Sequence, residues 1–194
     1  MLLLTFRAAG SRYAVDVSRI VEVVPRVELR ALPHAPGFLL GVFDFRGRVV
    51  PVVDLGLLLG GPGSSDRLST RVVLVDARPP GSEPAGAPGA GPEPGHDDAP
   101  EADGSDALTV LRRRAGRRSW LLGLLAEHVI DVAAVKPSQT ISARMQLPQS
   151  PYLGPIVEVD QEMVQLVAAE HVLGPALRDA FFAGEGAGGG GPGA

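Results

Sequence analysis

Two short apolar runs joined by an Arg-Gly pair constrain this chain more than any other feature. Phe38-Leu39-Leu40-Gly41-Val42-Phe43-Asp44-Phe45 and Arg48-Val49-Val50-Pro51-Val52-Val53 flank Arg46-Gly47. Each run is too short for a stable helix and is rich in β-branched and aromatic residues, so the pattern predicts a β-hairpin with a two-residue turn. A Pro-rich connection, Leu32-Pro33-His34-Ala35-Pro36-Gly37, leads in. Asp54 leads out as the N-cap of a short helix over residues 55–59, which Gly60-Gly61-Pro62-Gly63 ends. The stretch holds no nucleophile–base pair and no metal-ligand spacing. It reads as scaffold for a surface that touches other proteins.

The rest of the chain repeats this character. Leu2–Ala8 and residues 13–17 form a second hairpin pattern across Ala9-Gly10-Ser11. Ser18 is placed to cap a helix over residues 19–24, closed by Pro25, and residues 27–32 and 70–75 read as further strands. The second half resembles the first. Residues 13–23 lie over residues 122–132, each a β-run followed by a polar pair, two apolar residues, an acid and Val. Residues 41–53 likewise lie over 154–167, and a short helix follows each copy, the second around residues 170–173. Two related β-lobes are expected, residues 1–76 with a C-terminal helix (175–183) nearby and residues 107–168.

Residues 77–106 differ in kind. Between residues 79 and 106 there are seven acids, no Lys or Arg and no large apolar side chain, so this segment is expected to be a disordered insertion within the domain. Strand signals resume at residues 108–111. Removing the seven acids from a net charge of −4 leaves +3, carried almost wholly by Arg, far below the density of a nucleic-acid binder. The Gly-rich residues 184–194 are expected to be a disordered tail.

Composition excludes several chemistries. There is no Cys, hence no disulfide, thiolate nucleophile or thiolate metal site. No segment approaches the ~20 apolar residues of a membrane span, and no signal peptide is evident, so a cytoplasmic protein is expected. His34, His96, His128 and His171 lack ligand spacing. No cofactor, metal or catalytic residue is expected. The run Arg112-Arg113-Arg114-Ala115-Gly116-Arg117-Arg118 reads first as a solvated hairpin tip, with an anionic partner as the alternative.

The chain resembles the chemotaxis coupling protein (CheW) family outside residues 77–106 and the tail. The motifs are Ile20-Val21-Glu22-Val23, then Leu32-Pro33-x-x-Pro36, and Gly41-Val42-x-x-x-Arg46-Gly47-x-x-x-Pro51-Val52-x-Asp54-Leu55. It departs from the family at Asp44-Phe45, at Ala126-Glu127 and in the acidic insertion. The resemblance implies an all-β fold of two side-by-side five-stranded SH3-like barrels and no catalysis. It implies an adaptor between the cytoplasmic tip of methyl-accepting chemoreceptors and the regulatory domain of a CheA-type histidine kinase, recruited to receptor arrays and in contact there with other CheW-like domains. Carried over by position, the receptor-binding residues are Ile20, Glu22, Gly41 and Arg46; no single kinase contact is assigned. Two other readings stay open at this point: a stand-alone kinase-regulatory module without receptor binding, and a nucleic-acid-binding barrel acting through Arg112–Arg118.

Overall fold

The computed structural model describes residues 1–79, 120–142 and 149–182. The acidic insertion beyond residue 79, His96, the expected strand at 108–111, the Arg112–Arg118 run and the Gly-rich tail lie outside the described residues. Ten strands are present among the described ones: β1 (Leu2–Ala8), β2 (Ser11–Asp16), β3 (Ile20–Pro25), β4 (Leu39–Phe45), β5 (Arg48–Asp54), β6 (Arg71–Asp76), β7 (Leu121–Ala134), β8 (Thr140–Ser142), β9 (Leu153–Val159) and β10 (Glu162–Val167). Two helices join them, α1 (Leu55–Leu58) and α2 (Pro175–Phe182).

The strands form two lobes that share β7. In lobe I the order is β3-β6-β7-β5-β4, with residues 121–126 of β7 between β6 and β5. In lobe II the order is β7-β1-β2-β10-β9-β8, using residues 127 and 131–134 of β7. The strand kinks where it changes lobe. Thr5 pairs with Asp131 and Arg7 with Glu127, so two residues of β1 face four of β7, and His128 has φ 48°. This bulge sits where the first copy has its single 3-10 turn, Val17–Arg19, between β2 and β3.

The all-β, two-lobe expectation therefore holds, but the lobes do not divide the chain at residue 76. β1 and β2 leave the first half to complete lobe II, and the start of β7 leaves the second half to complete lobe I. Lobe II takes the β1–β2 hairpin from the first copy, and lobe I takes residues 121–126 of β7 from the second. Sequence periodicity reports the copy, not the exchange.

Strict alternation along the shared strands builds three cores. Val72, Leu74, Leu121 and Leu125 point into lobe I with Val50 and Val52. Their neighbours Val73, Val75, Leu122 and Leu124 point the other way, into a core between the lobes completed by Leu4, Phe6 and Val15. Leu3, Ala14, Val157, Val159 and Val164 fill lobe II. Strands buried on both faces read as unbroken apolar runs, which is what residues 72–75 and 121–126 show. Each such Val or Leu contributes about 1.5–3 kcal/mol by leaving water. Gly123 allows this packing, since a Cβ there would stand 2.9 Å from Val72 and 3.0 Å from Val52.

Two expected elements form differently. Residues 20–25 are strand β3, not helix, and the cap belongs to Asp16, whose Oδ1 accepts from the Ser18 N–H at 2.8 Å to close the 3-10 turn. Four β-branched residues, Ile20, Val21, Val23 and Val24, outweigh the Ser18 signal once β6 offers a partner edge. Residues 27–32 make only one bridge, Arg30 with Val42.

Carboxylates pin the connections. Asp54, 2% exposed, caps α1 through Gly56 N–H (2.8 Å) and Leu57 N–H (3.3 Å) and also accepts from the Ser64 N–H and hydroxyl (2.8 and 2.9 Å). Glu127 accepts from the Ser65 N–H and hydroxyl at 2.6 and 2.5 Å. These bonds hold the Glu127 carboxyl below its ordinary pKa, with Ser65 the largest cause. A depressed carboxyl adds stability above its unfolded pKa and loses it as pH falls through the folded one. Glu127→Gln should therefore lower the melting temperature near neutral pH and flatten its fall between about pH 5 and pH 3. Melting curves across that range check this; parallel curves for both proteins would contradict it.

The stem of the insertion is well held. Ala77 N–H donates to Trp120 O at 2.8 Å, and the Arg19 guanidinium donates to Arg78 O at 2.7 Å. The Trp120 ring lies 5.1 Å from Phe182 of α2. Because loop-closure entropy varies slowly with length, replacing residues 80–104 by a short Gly/Ser link should leave stability within about 1 kcal/mol. A denaturant titration that shows a larger loss would mean the segment packs on the lobes.

Candidate functional site

The turn between β4 and β5 is the most unusual local structure in lobe I. Arg46 has φ 54° and Gly47 φ 78°, so both central residues are left-handed, as a type I′ hairpin turn requires. Asp44 Oδ1 accepts from Gly47 N–H at 2.7 Å and closes the turn. Gly suits its position. Arg does not, because a side chain in the left-handed region costs about 1 kcal/mol and turn chemistry alone favours Asn, Asp or Gly.

The Arg46 side chain reaches across the open seam of lobe I. Its Nη2 lies 2.7 Å from Glu22 Oε2 on β3, and its guanidinium carbon lies 4.8 Å from the centre of the Phe45 ring. β3 and β4 are the two ends of the lobe I sheet, so this ion pair, together with the Arg30–Val42 bridge, links edges that no ladder joins. The Arg46 side chain is 72% exposed and that of Glu22 37%. An exposed pair of this kind adds only about 0.2–1 kcal/mol. It tethers one end of the arginine side chain more than it holds the fold.

The four residues carried over by resemblance fall in three environments. Glu22 and Arg46 meet directly. Ile20 lies two residues before Glu22, but a bulge in β3 separates them. Ile20 pairs with Val75 and packs on the interlobe core, whereas Glu22 pairs with Leu74, which belongs to the lobe I interior. Ile20 is half-buried at the lobe boundary. Gly41 is buried and presents no surface beside Arg46. A Cβ on it, at φ 148°, would stand 2.4 Å from the Arg30 carbonyl oxygen. Its work is structural: it lets residues 26–38 lie against β4 through the paired bonds Arg30 N–H to Val42 O (2.8 Å) and Val42 N–H to Arg30 O (2.9 Å).

Other residues at this face were not singled out from sequence. Val21 (50% exposed) and Val23 (41%) stand on β3, which has a ladder partner on one side only. Phe45 underlies Arg46. The signal for Val21 and Val23 was present as β-branched residues beside Glu22, but reading the segment as a helix hid their outward facing. The edge strand thus carries the ion pair on one face and two exposed valines on the other. Among the described residues, no group of three or more His, Asp or Glu side chains gathers to hold a metal, and no helix is long and apolar enough to cross a membrane.

The turn itself can be tested apart from any partner. Arg46→Asn keeps a residue suited to positive φ and loses the exposed ion pair, so the melting temperature should stay within about 3 °C of the wild type. A fall well beyond that, in a thermal melt, would make Arg46 a residue of the fold.

Comparison with known proteins agrees with this geometry. Residues 2–86 match the CheW-like domain model, covering β1 to β6 and the Glu22–Arg46 face. The "Probable chemotaxis protein CheW" of Rhizobium etli is 34% identical over 73 residues, 38% of this chain and 46% of the relative. The "Chemotaxis protein CheW" of Helicobacter pylori is 31% identical over 70 residues, 36% of this chain and 42% of the relative. The chain thus spans about half the length of the curated relatives it matches. The fold agreement runs further. The crystal structure of scaffolding protein TtCheW from Thermoanaerobacter tengcongensis superposes with a TM-score of 0.58 over 86% of this chain and 82% of that one, at 17% identity. The two lobes are accordingly the paired SH3-like barrels of that fold. Residues 2–86 are thus similar in sequence to the CheW-like domain, and most of the chain shares the fold of a CheW structure.

Proposed function

We propose that this chain is a non-catalytic adaptor of a chemosensory array. It couples the cytoplasmic tip of methyl-accepting chemoreceptors to the regulatory domain of a CheA-type histidine kinase, and it contacts other CheW-like domains in the same array. Its place is the cytoplasm, at receptor clusters. The names of its relatives support a role in chemotaxis, and the name of the structural neighbour supports a scaffold. We further propose that one CheW-like domain occupies residues 1–183, the acidic segment being an insertion into it.

The observation that carries the reading is Arg46. An exposed arginine is kept in a left-handed turn position where Asn or Gly would suit the fold better, and its tip is paired with Glu22. Such a residue is explained by what it binds. A guanidinium gives several directed N–H donors, which match the carbonyl and carboxylate oxygens near a helical hairpin tip. Ile20 supplies apolar surface at the lobe boundary, and Val21 and Val23 supply it on the other face of β3. Gly41 acts from below by fixing where β4 runs.

Arg46→Ala should weaken binding to a soluble receptor-tip fragment by about thirtyfold, the effect of losing an anchor worth ~2 kcal/mol. Glu22→Lys should act in the same direction, because it removes the brace and places a like charge beside Arg46. The measurement is a calorimetric titration of each variant with the fragment, alongside a melting curve. Unchanged affinity with an unchanged melt would take Arg46 out of the site and weaken the adaptor reading.

A further inference from the structure

We propose that Phe45 is a positioning residue for Arg46: its ring is the platform that holds the guanidinium against Glu22 and so fixes which N–H donors face a partner. The proposal rests on the adaptor reading for its effect on binding, but not for the stack itself.

Three observations carry it. The Arg46 guanidinium carbon is 4.8 Å from the Phe45 ring centre, within the range of a cation–π contact. Phe45 is itself held from below. It packs against the lobe I interior, and its ring meets Phe43 edge-on with centroids 6.3 Å apart and planes at 63°. The platform is therefore continuous with the lobe core and does not move with the turn. Finally, Glu22 is the only hydrogen-bond acceptor of the Arg46 guanidinium among the described residues, and it is reached through Nη2. A single exposed ion pair fixes one atom of a long side chain and leaves rotation about it. A ring face restricts the guanidinium plane as well. The two contacts together leave the remaining donors directed away from the protein, where an oxygen-rich partner surface can take them.

This division of labour predicts a specific coupling. Phe45→Leu keeps an apolar side chain over the core but removes the ring, so it should weaken binding to the receptor-tip fragment about three- to fivefold. Phe45→Tyr keeps the ring and should bind like the wild type. In an Arg46→Ala background, Phe45→Leu should change affinity by less than about twofold, because the residue it positions is gone. If Phe45 serves only packing, Phe45→Leu will weaken binding equally in both backgrounds, and the proposal fails.

The stack also has a readout free of any partner. The side-chain protons of Arg46 should show an upfield ring-current shift in the nuclear magnetic resonance spectrum of the wild type and of Phe45→Tyr. The shift should vanish in Phe45→Leu and persist when Glu22 is changed to Gln. Its absence from the wild type overturns the proposal whatever the binding result. Its presence in a wild-type chain that does not bind the fragment would sustain the stack and reject the adaptor reading, so the two fail separately.

Discussion

The structure depends on β7. This 14-residue strand is paired with β5 and β6 along its first half and with β1 along its second, so each lobe is closed by the same piece of chain. Its side chains divide between cores as well. Leu121 and Leu125 go into lobe I, while Leu122, Leu124 and Ala126 go between the lobes. A strand with these duties has to be apolar on both faces and has to bend once. The run Leu121-Leu122-Gly123-Leu124-Leu125-Ala126 and the left-handed His128 meet those two requirements. Glu127, at the bend, anchors the loop through Ser65, so the place where the chain departs from the family pattern carries a local staple of its own.

How far the sequence reveals this depends on the range over which each feature is decided. The β4–β5 hairpin, the Asp54 cap and the helix after it are settled by residues within a few positions of one another, and all three are legible. β3 is not, because Ser18 is a reasonable cap in isolation and only the presence of β6 makes residues 20–25 a strand. The division into lobes is decided at the longest range. Two copies of a pattern are visible in the chain, but nothing within either copy states that its first hairpin pairs with the other copy's last strands. Local rules cannot carry that information, since it lies in which edges are left free once every strand has formed.

The same reasoning applies to the site. Resemblance to the family named Glu22 and Arg46, which meet in an ion pair although residues 19–24 read as a helix from the sequence alone. It placed Gly41 with them by analogy, whereas the missing Cβ serves the Arg30 backbone. It placed Ile20 with them as well, and a bulge in β3 sets Ile20 apart from Glu22. The face that remains is small and is organised by contacts of modest individual strength: an exposed ion pair, a ring under a guanidinium, and two valines on a strand edge.

The sharing of strands between the lobes bears on the chain as a connected object. Lobe I is finished only when residues 121–126 arrive, and lobe II uses β1 and β2, the first strands in the sequence. A chain that stops before β7 leaves neither barrel complete, and one that stops after β7 has every strand of lobe I but not of lobe II. A chain emerging residue by residue holds its first hairpin without its final neighbours until β10 is made. The N-terminal strands wait longest for their partners, and the molecule closes as a ring of dependencies, not as two beads on a string.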